Sequence, residues 1–178
     1  KKKNNFKIFI DCHNLFKNSF KKMVKKKNRI GIDYGGTKIE GILLNVNGLE
    51  IKRKRYSYKK NYISGIETVK KLVDEFDKIS GHYCSVGIGI PGFSSKDTEL
   101  VTNANSLWLN NKPFKKDLEI ALNRKVKLMN DANCFTLSEA VDGAGKEFKS
   151  IFGIIIGTGF GGGLSYKNEI IEGANQIA

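Results

Sequence analysis

The order of strand-like and helix-like segments constrains this chain most. Arg29–Tyr34 (RIGIDY) reads as a strand, GGTK as a tight turn and residues 39–45 as a second strand. Val46-Asn47-Gly48 turns the chain into a third strand, 49–58, whose lysines and arginines suit an exposed edge. Residues 64–79 then carry Ile66, Val69, Leu72, Val73, Phe76 and Ile79 at helical spacing, with Ser64 and Glu67 as a capping box. A buried strand at 84–90 ends at Pro91-Gly92, and Pro113 opens a short helix with Phe114, Leu118, Ala121 and Leu122. Next come a strand at 126–129 and a helix at 132–144 with Leu137, Ala140, Val141 and Ala144 on one face. A buried strand at 151–156 and a strand and hairpin over 163–171, turning at Lys167-Asn168, close the series. Three strands on tight turns followed by alternating helices predict an α/β fold, a mixed sheet covered by helices.

Charge narrows the function classes. The chain of 178 residues has a formal net charge of +13. Residues 1–28 hold ten lysines and one aspartate, so most of that charge sits in the head and the body is nearly balanced. A solvated lysine-rich extension accounts for this, with Met23 read as the native start. The head shows no helix-turn-helix pattern or aromatic–basic module, so no nucleic-acid partner is expected. Cys12, Cys84 and Cys134 form no CxxC pair, and a reducing cytoplasm suits them. No membrane span and no signal peptide are expected.

Three glycine-rich stretches are candidate anion sites. In GIDYGGTK, Gly35 and Gly36 expose backbone N–H groups, Thr37 adds a hydroxyl and Lys38 a cation. Asp33, just before the turn, is placed to hold Mg²⁺ directly or through water. GIGIPG and GTGFGG both match G-x-G-x-x-G, yet neither opens a helix, so a dinucleotide fold is not indicated. What remains is two glycine turns, 35–37 and 157–163, each after a buried strand.

Asn130 and Asp131 lie between a strand and a helix. A helix cap explains one of them. The carboxyl end of a strand in an α/β sheet is also where ligands bind. Asn103 and Asn105 form a second amide pair beside Trp108. Amides with one carboxylate suit a polyhydroxylated ligand, and Asp131 could serve as general base towards a sugar hydroxyl. Trp108 either flanks the sugar or packs in the core, and His13 and His82 read as bystanders.

DYGGTK, GIGIPG, NANSLWLNNKPF, NDANCFTLSEAVDGAG and IIGTGFGGGL, in this order, resemble the ROK family (repressor, open reading frame, kinase) over residues 29–178. NANSLWLNNKPF with SEAVDGA is most similar to the fructokinase (manno-fructokinase) branch. The N-acetylglucosamine kinase branch is next. The resemblance implies an actin-like, ribonuclease H-like sugar-kinase fold with helices on both faces of the sheet. It implies ATP with Mg²⁺ and transfer of the γ-phosphate to a hexose hydroxyl, usually the 6-hydroxyl. By matching motif, Asp131 is the base, and Asp131, Asn130, Asn105 and Asn103 bind the sugar. Gly35, Gly36, Thr37 and Lys38 form the first phosphate loop beside Asp33. Gly157, Thr158 and Gly159, with Gly161 and Gly162, form the second.

Domain expectations follow from the resemblance: a basic extension at 1–28, an actin-like domain at 29–146 and the start of an incomplete second domain at 147–178. The family's Glu-x-Gly-His segment and its structural Zn²⁺ ligands are expected beyond residue 178, so no metal ligands are assigned within the chain. A homodimer is expected of the full-length protein. A chain ending at Ala178 is expected to show little or no kinase activity and to expose apolar strand surface. The other readings are a silent sugar-binding regulatory remnant and a transcriptional repressor, the latter disfavoured by the short head.

Overall fold

The computed structural model describes residues 27–156 and 160–173. Its larger sheet has five strands: β1 (Arg29–Tyr34), β2 (Lys38–Leu44), β3 (Glu50–Ser57), β4 (Ser85–Ile90) and β7 (Val126–Asn130). They lie in the order β3-β2-β1-β4-β7. β1, β4 and β7 run parallel, and β2 is antiparallel to both of its neighbours. The basic β3 is the edge, as its composition predicts. Two short strands, β5 (Phe93–Ser94) and β6 (Val101–Thr102), pair in the loop after β4.

Strand alternation sorts the two faces. Ile32 lies opposite Gly41 and Ile88, and a side chain at Gly41 would run into Phe76 and Leu72. Those residues belong to α1 (Tyr62–Ser80), so Ile30, Ile32, Tyr34, Val86, Ile88 and Ile90 face that helix in the core. α2 (Phe114–Leu122) packs beside α1 and inserts Phe114 and Leu118. Gly31, Asp33, Gly87 and Gly89 take the opposite face. There α3 (Asp131–Val141) brings Cys134 Sγ to 3.5 Å from where a Gly89 side chain would begin. Helices therefore cover both faces.

Two local expectations are corrected. α1 starts two residues before Ser64. Its cap is Asn61, whose Oδ1 accepts from Ser64 N at 2.9 Å, so Ser64 and Glu67 form no capping box. Ile79 is 48% exposed, off the buried stripe in the last turn of the helix. α1 stops at Gly81, which takes φ 72° and returns its N–H to Asp77 O.

A second sheet, ordered β10-β9-β8, contains β8 (Ser150–Ile156), β9 (Phe160–Tyr166) and β10 (Glu169–Ile171). Lys167 and Asn168 turn the β9–β10 hairpin at φ 50° and 64°, where the sequence places it. α3 covers one face: side chains at Gly153 and Gly163 would meet Thr136. The other face is open. Phe152 (63%), Ile154 (53%) and Ile156 (74%) are exposed, so β8 is not the buried strand its apolar run predicts. Among the described residues no helix is long and apolar enough to cross a membrane.

Candidate active site

Three parallel strands end side by side. β1 delivers Asp33 and Tyr34, β4 delivers Ile90 and Pro91, and β7 delivers Asn130 and Asp131. The chain leaves β1 towards β2 and β3, and leaves β4 towards β7, so the strand order reverses between β1 and β4. Ligands of open α/β sheets bind at such a crevice, outside the carboxyl ends of the strands.

Two carboxylates converge there. Gly89 lies opposite Asp33 in the β1–β4 register, and Asp131 Cα stands 3.9 Å from the position of a Gly89 Cβ. The missing side chain keeps the space between Asp33 and Asp131 open. Burial, then the negative charges of Asp131 and Glu40, push the Asp33 carboxyl up to about 6, against the pull of Arg55. Burial also raises Asp131, opposed by the Ala132 N–H and by Asn130. A carboxylate raised towards neutrality is suited to take a proton.

Asn130 is the N-cap of α3. Its Oδ1 accepts from Ala132 N at 2.9 Å and Asn133 N at 3.2 Å, and its Nδ2 donates to Gly92 O at 3.1 Å. Asp131 Oδ1 accepts from Ala132 N at 2.8 Å. One short motif thus caps the helix, ties it to the loop after β4 and aims a carboxylate from the first helical position.

That loop is drawn tight. A Cβ on Gly92 would sit 2.9 Å from Ala104 Cα, closer than any side chain tolerates. Asn105 N donates to Pro91 O at 3.0 Å. Asn110, missed by sequence reasoning, braces Ala104 at both ends: Oδ1 accepts from Ala104 N at 2.9 Å and Nδ2 donates to Ala104 O at 3.0 Å. Asn103, at φ 52°, and Asn105 are both exposed on this braced loop.

Beside Asn130 lies a cavity of about 340 Å³, the size of small-ligand pockets, with Phe93, Ser94, Lys96, Lys115 and Asn133 in its wall. Lys96 Nζ pairs with Glu172 at 2.8 Å across its rim. Asn103 and Asn105 do not line it, so the structure brings Asn130 and the cavity together but leaves the other asparagines on the adjoining loop. Phe93, Ser94, Lys96 and Lys115 carried no sequence signal, because they meet only through the fold.

Gly35, Gly36 and Thr37 form the β1–β2 turn, with Lys38 opening β2. Gly36, Thr37 and Lys38 are exposed at its mouth. Behind the turn, Glu40 is buried opposite Asp33 and forms ion pairs with Arg53 at 3.0 Å and with Arg55. Gly157, Thr158 and Gly159 lie outside the described residues. Gly161 and Gly162 are paired within β9, opposite Ile155 and Ile154, rather than in a loop. A Cβ on Gly161 would stand 3.1 Å from Ala132, which puts this hairpin against the first turn of α3, next to Asp131. Among the described residues no group of three or more His, Cys, Asp or Glu side chains is placed to hold a metal. A pair of close carboxylates instead suits Mg²⁺, which takes one or two carboxylates and completes its shell with substrate phosphates and water.

Comparison with known proteins agrees with this geometry. The chain is 42% identical over 149 residues to the N-acetyl-D-glucosamine kinase of Vibrio cholerae, covering 83% of this chain and 49% of that protein. It is 40% identical over 155 residues to the N-acetyl-D-glucosamine kinase of Pasteurella multocida, covering 84% and 50%. It therefore spans about half the length of these relatives. Among solved structures, a ROK family glucokinase from Streptomyces griseus, in complex with glucose and AMPPNP, matches with a TM-score of 0.75 and 27% identity, over 85% of this chain and 48% of that one. Its fold is thus that of actin-like sugar kinases. The family model for ROK matches residues 29–178, and the chain belongs to the ROK family.

Proposed function

We propose that this chain supplies the sugar-binding side and the first phosphate loop of an ATP-dependent N-acetylglucosamine kinase. The observation that carries this reading is Asp131, raised by burial, at the topological switch point and facing Asp33 across Gly89. Asn130, Asn103 and Asn105 bind sugar hydroxyls. The 6-hydroxyl oxygen attacks the γ-phosphorus of ATP, its proton passes to Asp131, and the bond to the ADP oxygen breaks. Gly35, Gly36, Thr37 and Lys38 hold the phosphates, and Gly157, Thr158 and Gly159 with Gly161 and Gly162 supply further contacts to them. Asp33 would hold Mg²⁺, which would supply positive charge to the phosphates. Residues 29–146 then form one lobe and 147–178 begin the next.

The names of the relatives favour N-acetylglucosamine over the fructose expected from NANSLWLNNKPF. The test is ATP-dependent phosphorylation of N-acetylglucosamine, N-acetylmannosamine, glucose, mannose and fructose by the protein in its whole reading frame. N-acetylglucosamine is expected to exceed glucose, which carries a hydroxyl in place of the acetamido group, by roughly tenfold or more in kcat/KM, the usual scale for recognising one substituent, and to exceed fructose by at least as much. A preference for fructose would restore the fructokinase reading. Turnover of none of the five would remove the kinase reading.

A further inference from the structure

Three aromatic side chains join the β1–β2 turn to the Asn103–Asn105 loop. Tyr58, just after β3, donates its phenol proton to Gly35 O at 2.9 Å. Its ring meets Tyr34 edge-on at 5.5 Å and Trp108 at 6.2 Å between centroids. Trp108 sits three residues after Asn105 and donates Nε1–H to Tyr34 Oη at 3.3 Å. Tyr34 is fully buried and directly precedes Gly35. Ser106 closes the contact: it is 2% exposed, its Oγ has no hydrogen bond of normal geometry, and it lies 3.6 Å from where a Gly36 side chain would begin.

The Tyr58 bond has a directional consequence. A trans peptide is planar, with its C=O and N–H pointing opposite ways. Holding Gly35 O therefore fixes Gly36 N–H on the far side from Tyr58. Two successive glycines have little preference of their own, so an amide aimed at an anion needs such an anchor. Burial above all pushes the Tyr58 phenol far up, so it stays a neutral donor.

We propose that Tyr58, held between Tyr34 and Trp108, is a positioning residue that couples the two subsites. Sugar held at the Asn103–Asn105 loop favours the arrangement in which the Trp108 turn and the Tyr58–Gly35 bond aim the Gly36 amide at the nucleotide phosphate. This rests on the sugar and phosphate assignments above. Coupling of this kind is reciprocal, so nucleotide tightens sugar binding by the same factor.

The test is calorimetric titration of a non-hydrolysable ATP analogue into the protein in its whole reading frame, with and without saturating N-acetylglucosamine. Sugar is expected to tighten the analogue roughly tenfold in the wild type, within the usual range of coupling between sites. In Tyr58→Phe sugar alone should bind within about twofold of wild type and the analogue alone more weakly, because the Gly36 amide loses its anchor, while the coupling falls to about twofold or less. Trp108→Phe keeps an aromatic ring, removes the Nε1 donor and should lose coupling in the same way, which covers misfolding of the first variant. Undiminished coupling in both variants, or none in the wild type, overturns the proposal. A wild-type protein that binds neither ligand overturns the site assignments as well, a result distinct from loss of coupling alone.

Discussion

The two sheets of this chain are written in similar residues and end in different states. In the five-stranded sheet, Ile32 and Ile88 are fully buried beneath Leu72 and Phe76, and α3 lies over Gly89 on the far side. In the β8–β10 sheet, α3 covers the Gly153 and Gly163 face, while Phe152, Ile154 and Ile156 look outward. An apolar run makes a strand, but burial depends on what is laid across each face. The site sits on the sheet that has both covers, with α3 as the helix shared by the two.

Matched truncations sharpen the contrast. Phe76→Ala opens a hole under β2 and should cost about 3–5 kcal/mol, read from chemical denaturation. A loss much below that would mean the α1 face is not closely packed.

A smaller effect arises at Asp33, where the cover on the sheet raises the carboxyl to about 6 from its ordinary 3.8. The acid is held more protonated in the folded state than in the unfolded one. Its contribution to stability is therefore complete below about pH 4 and is lost as pH rises through about 6. At pH 7 the ionised group costs on the order of 2–3 kcal/mol. Asp33→Asn should remove that loss, raise stability at pH 7 and flatten the profile between pH 4 and 7. An unchanged profile would show that Asp33 does not meet Asp131 in a closed crevice.

The smallest effect is expected on the open face. Phe152→Ser replaces a ring that is 63% exposed, and should change stability by no more than about 0.5 kcal/mol. A cost near that of Phe76→Ala would show the face to be covered in solution.

The succession of strands along the chain was legible because each parallel strand ends in its own signal: Asp33 before Gly35, Pro91 after Ile90, and Asn130-Asp131 after Met129. Asn130 was also legible as a cap, since its position and its chemistry agree. Ser64 misled because Asn61 offers the same side-chain acceptor one turn earlier. The outward face of β8 was hidden, because Ile151–Ile156 is apolar at almost every position and gives no alternation to read. Asn110 on Ala104, Tyr58 on Gly35 and Lys96 with Glu172 are contacts the fold creates, and no local pattern announces them.

The most direct test is Asp131→Asn in the protein in its whole reading frame, with phosphoryl transfer and sugar affinity measured together. The substitution keeps a side-chain oxygen at the helix start and removes the base. Turnover is predicted to fall by roughly 10²–10⁴, the usual contribution of a positioned base, while sugar affinity stays within about threefold. Turnover within about tenfold of wild type would contradict the account and move the base elsewhere.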